Sequence, residues 1–102
     1  MKIIKCLSQQ IEDELDDANK YIDLAIKWKS DEPDTAELFY QLSLEEMGHM
    51  DKLHDEVVEL INEYRKENGD PPKEMMILYE YLHEMHIKTA TQIKVKQGMF
   101  KA

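Results

Sequence analysis

The chain of 102 residues has little cysteine, glycine, proline or positive charge, and each shortage removes a class of protein. A single thiol, Cys6, rules out an intrachain disulfide framework and any iron or zinc centre built on four cysteines, and it fits a reducing cytoplasm. Three glycines and three prolines, set among abundant Leu, Ile, Met, Glu and Lys, favour an all-α chain. Apolar runs fall well short of the length that crosses a bilayer, and the start, Met1-Lys2-Ile3-Ile4-Lys5-Cys6, lacks the apolar core of a secretion signal. A soluble, cytoplasmic protein is the expectation. With 13 basic against 22 acidic side chains the net charge is -9, which argues against nucleic acid and against anionic membrane surfaces as partners and makes cations the plausible guests. Neither a repeat nor a separating linker divides the chain, so residues 1–102 read as a single domain, small enough for oligomerisation to help it.

Three amphipathic segments are present. From about 7 to 29, Leu7, Ile11, Ala18, Tyr21, Ile22, Ala25 and Trp28 recur at helical spacing. The stretch Ser30-Asp31-Glu32-Pro33-Asp34-Thr35 combines capping residues with a proline suited to a first turn, which predicts a short antiparallel connection. A second helix over about 33–66 carries Phe39, Leu42, Met50, Leu53, Val57, Leu60 and Tyr64 on one stripe. At roughly 50 Å it outreaches the first helix, so its far end needs another partner. Asn68-Gly69-Asp70-Pro71-Pro72 stops it and restarts the chain. A third helix is expected over about 72–97, with Met75, Leu78, Leu82, Met85, His86 and Ile93 inward, followed by a fraying tail from Gly98. Cys6 is expected to precede the first helix, and the methionines to be mostly core residues.

Two acids break this pattern. Glu46 falls near the centre of the second helix's apolar stripe, and Glu14 lies in the apolar sector of the first, between the positions of Ala25 and Tyr21. An ionised carboxylate in an apolar interior costs several kcal/mol unless paired, protonated or bound to metal. His49, one turn beyond Glu46 in a Glu-x-x-His pair, reaches the same ion. Across the short turn Glu14 and Glu46 lie at nearly equal distances from the connection, so they meet at one level of a bundle. Two oxygen donors and one imidazole suit iron, manganese or zinc better than calcium or magnesium. A carboxylate-bridged two-metal centre in a four-helix bundle takes one Glu from each of two helices and a Glu-x-x-His from each of the others. This chain supplies half, and a twofold homodimer would supply the rest.

The spacing Glu14-x6-Tyr21 on one helix, followed by Glu45-Glu46-x-x-His49 on the next, resembles the first half of the ferritin-like di-iron proteins, a group that includes ferritins, bacterioferritins and rubrerythrins. The half-length form is most similar to the encapsulated ferritins, whose ferroxidase centre is assembled between two chains. The likeness covers about residues 7–66. It implies iron ligation by Glu14, Glu46 and His49, with Glu46 bridging. It also implies Tyr21 near the metal as a hydrogen-bond donor or electron source, and Glu45 as an accessory ligand on the metal's way in. It further brings in a higher oligomer and an encapsulin shell as partners, although the tail Gln97-Gly98-Met99-Phe100-Lys101-Ala102 does not read as a docking peptide. A rubrerythrin-type peroxidase would call for a four-cysteine rubredoxin centre that this chain cannot build.

The leading expectation is therefore a ferroxidase that oxidises Fe(II) to Fe(III) at a di-iron centre, two irons per dimer, with Glu14, Glu46, His49 and Tyr21 as its catalytic set. Manganese or zinc could occupy the same ligands. An oxidase or peroxidase retaining its dimetal cofactor is one alternative, and a metal-free helical structural or interaction protein is another. Glu80-Tyr81-Leu82-His83 is a second Glu-x-x-His, but Glu80 and Glu84 project away from the third helix's stripe and read as surface charge. His86 reads as a satisfied core histidine, and His54 and Glu56 as solvated residues at the stripe's edges.

Overall fold

A computed structural model describes residues 2–102 and consists of three helices, α1 (Lys2–Trp28), α2 (Pro33–Asn68) and α3 (Lys73–Lys101). Alternating chain direction makes an antiparallel hairpin of α1 and α2, and α3 then returns alongside both, so the bundle is a rod of 56 × 19 × 18 Å. Each helix is long enough to present several turns to its neighbours, which is where most helical stability arises. The core lies between α1 and α2, where Ile11, Leu15, Ala18, Ile22 and Ala25 meet Ala36, Met47, Met50, Val57 and Ile61. From α3, Ala90, Ile93 and Phe100 join this core, and the half-buried Tyr79 packs against it.

Alanines at 18, 25 and 36 have no accessible surface and let the two backbones of the hairpin approach closely. At the same level the Ser43 hydroxyl, itself fully buried, donates to the Ala18 carbonyl at 2.8 Å, and the Gln97 side-chain amide donates to Ser43 Oγ at 3.0 Å. This polar thread ties all three helices in register, because each of its groups would be left unsatisfied by a slip.

The connections depart from the expected capping. α2 starts with Glu32 at its N-cap and Pro33 behind it, and no side chain caps the first turn, despite the acids and hydroxyls nearby. Proline's fixed φ does the work of starting the helix. At the other end Gly69 takes φ +77°, a left-handed value that favours glycine, and its N–H closes on the Arg65 carbonyl at 3.0 Å. α3 restarts from Pro72, whose carbonyl receives the N–H groups of Met75 and Met76.

Several boundaries correct the reading from sequence. α1 begins at Lys2 rather than about Leu7, since Ile4 and Ser8 are buried, so Cys6 is an exposed residue of the helix and does not precede it. α2 runs two residues past the expected end, to Asn68. The tail does not fray: α3 continues to Lys101 because Phe100 is buried and stacked on Tyr40, with ring centroids 5.0 Å apart. Lys29 Nζ donates to the Phe100 carbonyl, and Lys101 Nζ pairs with Glu37 at 3.0 Å, closing that end. In turn, Leu78 and Met85, expected inward, are about half exposed, because the N-terminal half of α3 lies loosely on the hairpin. Of the methionines described, only Met47 and Met50 are buried.

Candidate metal site

One face of the hairpin is left open. α3 contacts α1 through Asn19 and Asp23 and α2 through Glu37, Ser43 and His54, all on one side. On the other side a stripe of half-buried residues runs along both helices, including Leu7, Tyr21, Phe39, Leu42, Leu53 and Leu60. Glu14 and Glu46 sit within that stripe. Both acids are partly exposed where Ala18 and Ser43 are fully buried, so they lie at the open margin of the hairpin and not at its centre. Their side chains are 24% and 18% exposed, and His49 is 54% exposed. The sequence reading placed Glu46 near the middle of the apolar stripe; the centre of α2's buried face is instead Ser43, Met47, Met50 and Val57.

The three side chains converge. His49 Nδ1 is 3.4 Å from Glu14 Oε2 and 3.7 Å from Glu46 Oε2. One donor atom from each of Glu14, Glu46 and His49 lies within 4.8 Å of the others, the spacing a metal ion needs. Among the described residues this is the group of three or more acids, histidines or cysteines that meets that spacing.

The electrostatics are those of two acids forced together. A hydrogen bond with Glu14 is the largest influence on Glu46, whose carboxyl is pushed up to about 7, with burial and the negative charge of Glu14 and Asp17 acting in the same direction and His49 opposing them. Two carboxylates at this range cannot both ionise freely, and a proton between them relieves the repulsion. A divalent cation relieves it more fully, so the donor set fits a metal. Asp17 was not anticipated from sequence; it lies three residues from Glu14, the helical spacing that brings its charge toward the site.

Tyr21 lies two turns from Glu14, about 10 Å along the helix, and stacks on Phe39 with ring centroids 6.3 Å apart. It flanks the acids on the open face. Glu45 and Glu56 are exposed. Glu80 and Glu84 are exposed, as expected, whereas His83 is half-buried. No helix among the described residues is long and apolar enough to cross a membrane. Comparison with protein-family models, with characterised proteins and with solved structures brings no match.

Proposed function

We propose that two copies of this chain meet through the open α1–α2 face and form a ferritin-like four-helix core that oxidises Fe(II) to Fe(III). The observation that carries this reading is the gathering of Glu14, Glu46 and His49 within 4.8 Å on a half-buried apolar face that α3 does not cover. A twofold axis beside that face doubles the set to four carboxylates and two imidazoles, enough for two divalent ions of matching charge. It also covers Leu7, Tyr21, Phe39, Leu42, Leu53 and Leu60, whose partial exposure a single chain leaves uncorrected.

Fe(II) is the substrate in this scheme. Glu46 surrenders its shared proton as the ion arrives, and both carboxylates then neutralise its charge. His49 holds one coordination position with an imidazole that does not change charge as the iron does. Two Fe(II) give up two electrons to dioxygen, which leaves as hydrogen peroxide after taking two protons. Carboxylates accommodate the smaller, more highly charged Fe(III) by changing between one-oxygen and two-oxygen binding. Tyr21, on the same open face, orients a carboxylate through its hydroxyl.

Anaerobic Fe(II) titration followed by air, with the mass in solution measured in parallel, tests this. Two irons per dimer, oxidised on aeration and lost in Glu46→Ala, are expected. A monomer that takes up no iron would overturn it and leave a metal-free helical interaction protein.

A further inference from the structure

The two α2 histidines have different surroundings. His49 faces the acids, whereas His54, five residues on, faces α3. The His54 ring lies over that of His83 with centroids 4.8 Å apart and planes at 17°, and His83 lies over Tyr79 at 5.7 Å and 12°. His86 stands one turn beyond His83 on the same side of α3. All three histidines line a cleft of about 200 Å³ between α2 and α3, together with Met50, Asp51 and Ala90.

Packing alone accounts poorly for this cluster. His54 Nε2 is buried and makes no hydrogen bond, a rare condition for a polar nitrogen and one that an ion would remove. Burial holds His83 and His86 below the usual histidine range, and their neighbouring imidazoles push the same way, so both rings are neutral with a lone pair to donate near pH 7. Charges of the right sign surround them. Glu12 on α1 faces His86, Glu84 acts on His83, Asp51 lines the cleft and Asp55 Oδ1 is 4.0 Å from His54 Nδ1; Lys94 is the cation at the rim.

We propose that His54, His83 and His86 form a second metal site, separate from the acidic one, that takes a borderline divalent ion of the Zn(II) or Co(II) kind and clasps α3 to α2. Three imidazoles select such ions over calcium and magnesium, and a fourth position remains for Asp51 or water. The donor nitrogens of the three imidazoles do not yet meet the 4.8 Å spacing of Glu14, Glu46 and His49, so binding requires the stacked rings to rotate until their nitrogens converge on the ion. The location gives the clasp a purpose. C-terminal to it, Ile93, Gln97 and Phe100 are buried; N-terminal to it, Ile77, Leu78 and Tyr81 are half exposed or more. An ion here fixes the loose half of α3 at the point where close packing ends.

Co(II) and Zn(II) titrations of the full chain carrying Glu14→Ala and Glu46→Ala test this. One ion per chain with the visible absorption of nitrogen-ligated Co(II) is expected, and Zn(II) should raise the unfolding temperature. His54→Ala, or His83→Gln with His86→Gln, should weaken binding more than roughly tenfold, since even a change behind the ligands costs that much. Uptake that ignores these substitutions, or no uptake, overturns the site. If the acid-deleted chain does not fold, the wild-type imidazole proton resonances decide: Zn(II) should shift those of His54, His83 and His86, and a shift confined to His49 overturns the proposal.

Discussion

Five residues of α2 separate two clusters that handle burial in opposite ways. Around Glu46 an acid is kept protonated toward neutral pH by its hydrogen bond with Glu14 first, and then by burial and the negative charge of Glu14 and Asp17. Around His83 and His86 bases are kept unprotonated, because burial and like neighbours penalise the positive form. Both clusters thus hold the uncharged state of a titratable side chain. A cation satisfies each by a different route: it replaces a proton at the acids and accepts lone pairs at the imidazoles. The difference follows from position. The acids stand on the face that α3 leaves open, and the imidazoles stand in the seam that α3 half covers.

The sharpest way to break this comparison is to delete one cluster and read the other. Glu46→Ala should lower Fe(II) oxidation by about 100-fold or more, as expected when a group acting directly on the substrate is lost, while His54→Ala should leave the initial rate within about twofold. Stopped-flow absorbance on aeration would record both, and equal losses would mean that the clusters are one functional unit.

Stability against pH should slope in opposite directions for the two clusters. Glu46 has a folded-state value of about 7 against 4.5 when unfolded, so between these values the native chain binds more protons than the unfolded one. In metal-free protein its contribution is favourable below pH 4.5 and is lost as pH rises toward 7, by up to about 3 kcal/mol. His83 and His86 are lowered from 6.5, so their contribution is present above that value and is lost on acidification below it. Urea unfolding across this range should show Glu46→Gln removing the first slope and His83→Gln with His86→Gln the second.

Smaller effects should come from groups that serve packing. Ser43→Ala removes the hydroxyl between Ala18 and Gln97 and leaves a buried amide unsatisfied, which costs about 1–3 kcal/mol without changing iron oxidation. The smallest effect concerns Glu37, lowered by hydrogen bonds from Lys101 and Gln41 at the solvent-facing end. Glu37→Gln should leave the unfolding midpoint unmoved in ordinary salt, because exposed pairs of this kind contribute little.

Much of the bundle was legible in the residues alone. Helical periodicity located three helices, Pro33 and Gly69 marked two of their ends, and the departure of Glu14 and Glu46 from their stripes picked out the acids that the fold brings beside His49. Terminal packing was not legible. Phe100 extends α3 because Tyr40, sixty residues earlier, offers a ring to stack on, and no local pattern encodes that meeting. His54, His83 and His86 were likewise read as surface or core residues, since their association depends on where α3 crosses α2.

Sequence by itself determined what each helix could bury and which side chains resisted burial, because the angular position of a residue on a helix follows from its number. Tertiary structure decided which faces were covered. With α3 lying against only one side of the α1–α2 hairpin, Glu14, Glu46 and His49 remain at an accessible margin while Ser43 and Gln97 are sealed within. Burial depends on the summed positions of three rods, and that sum is not written in any one of them.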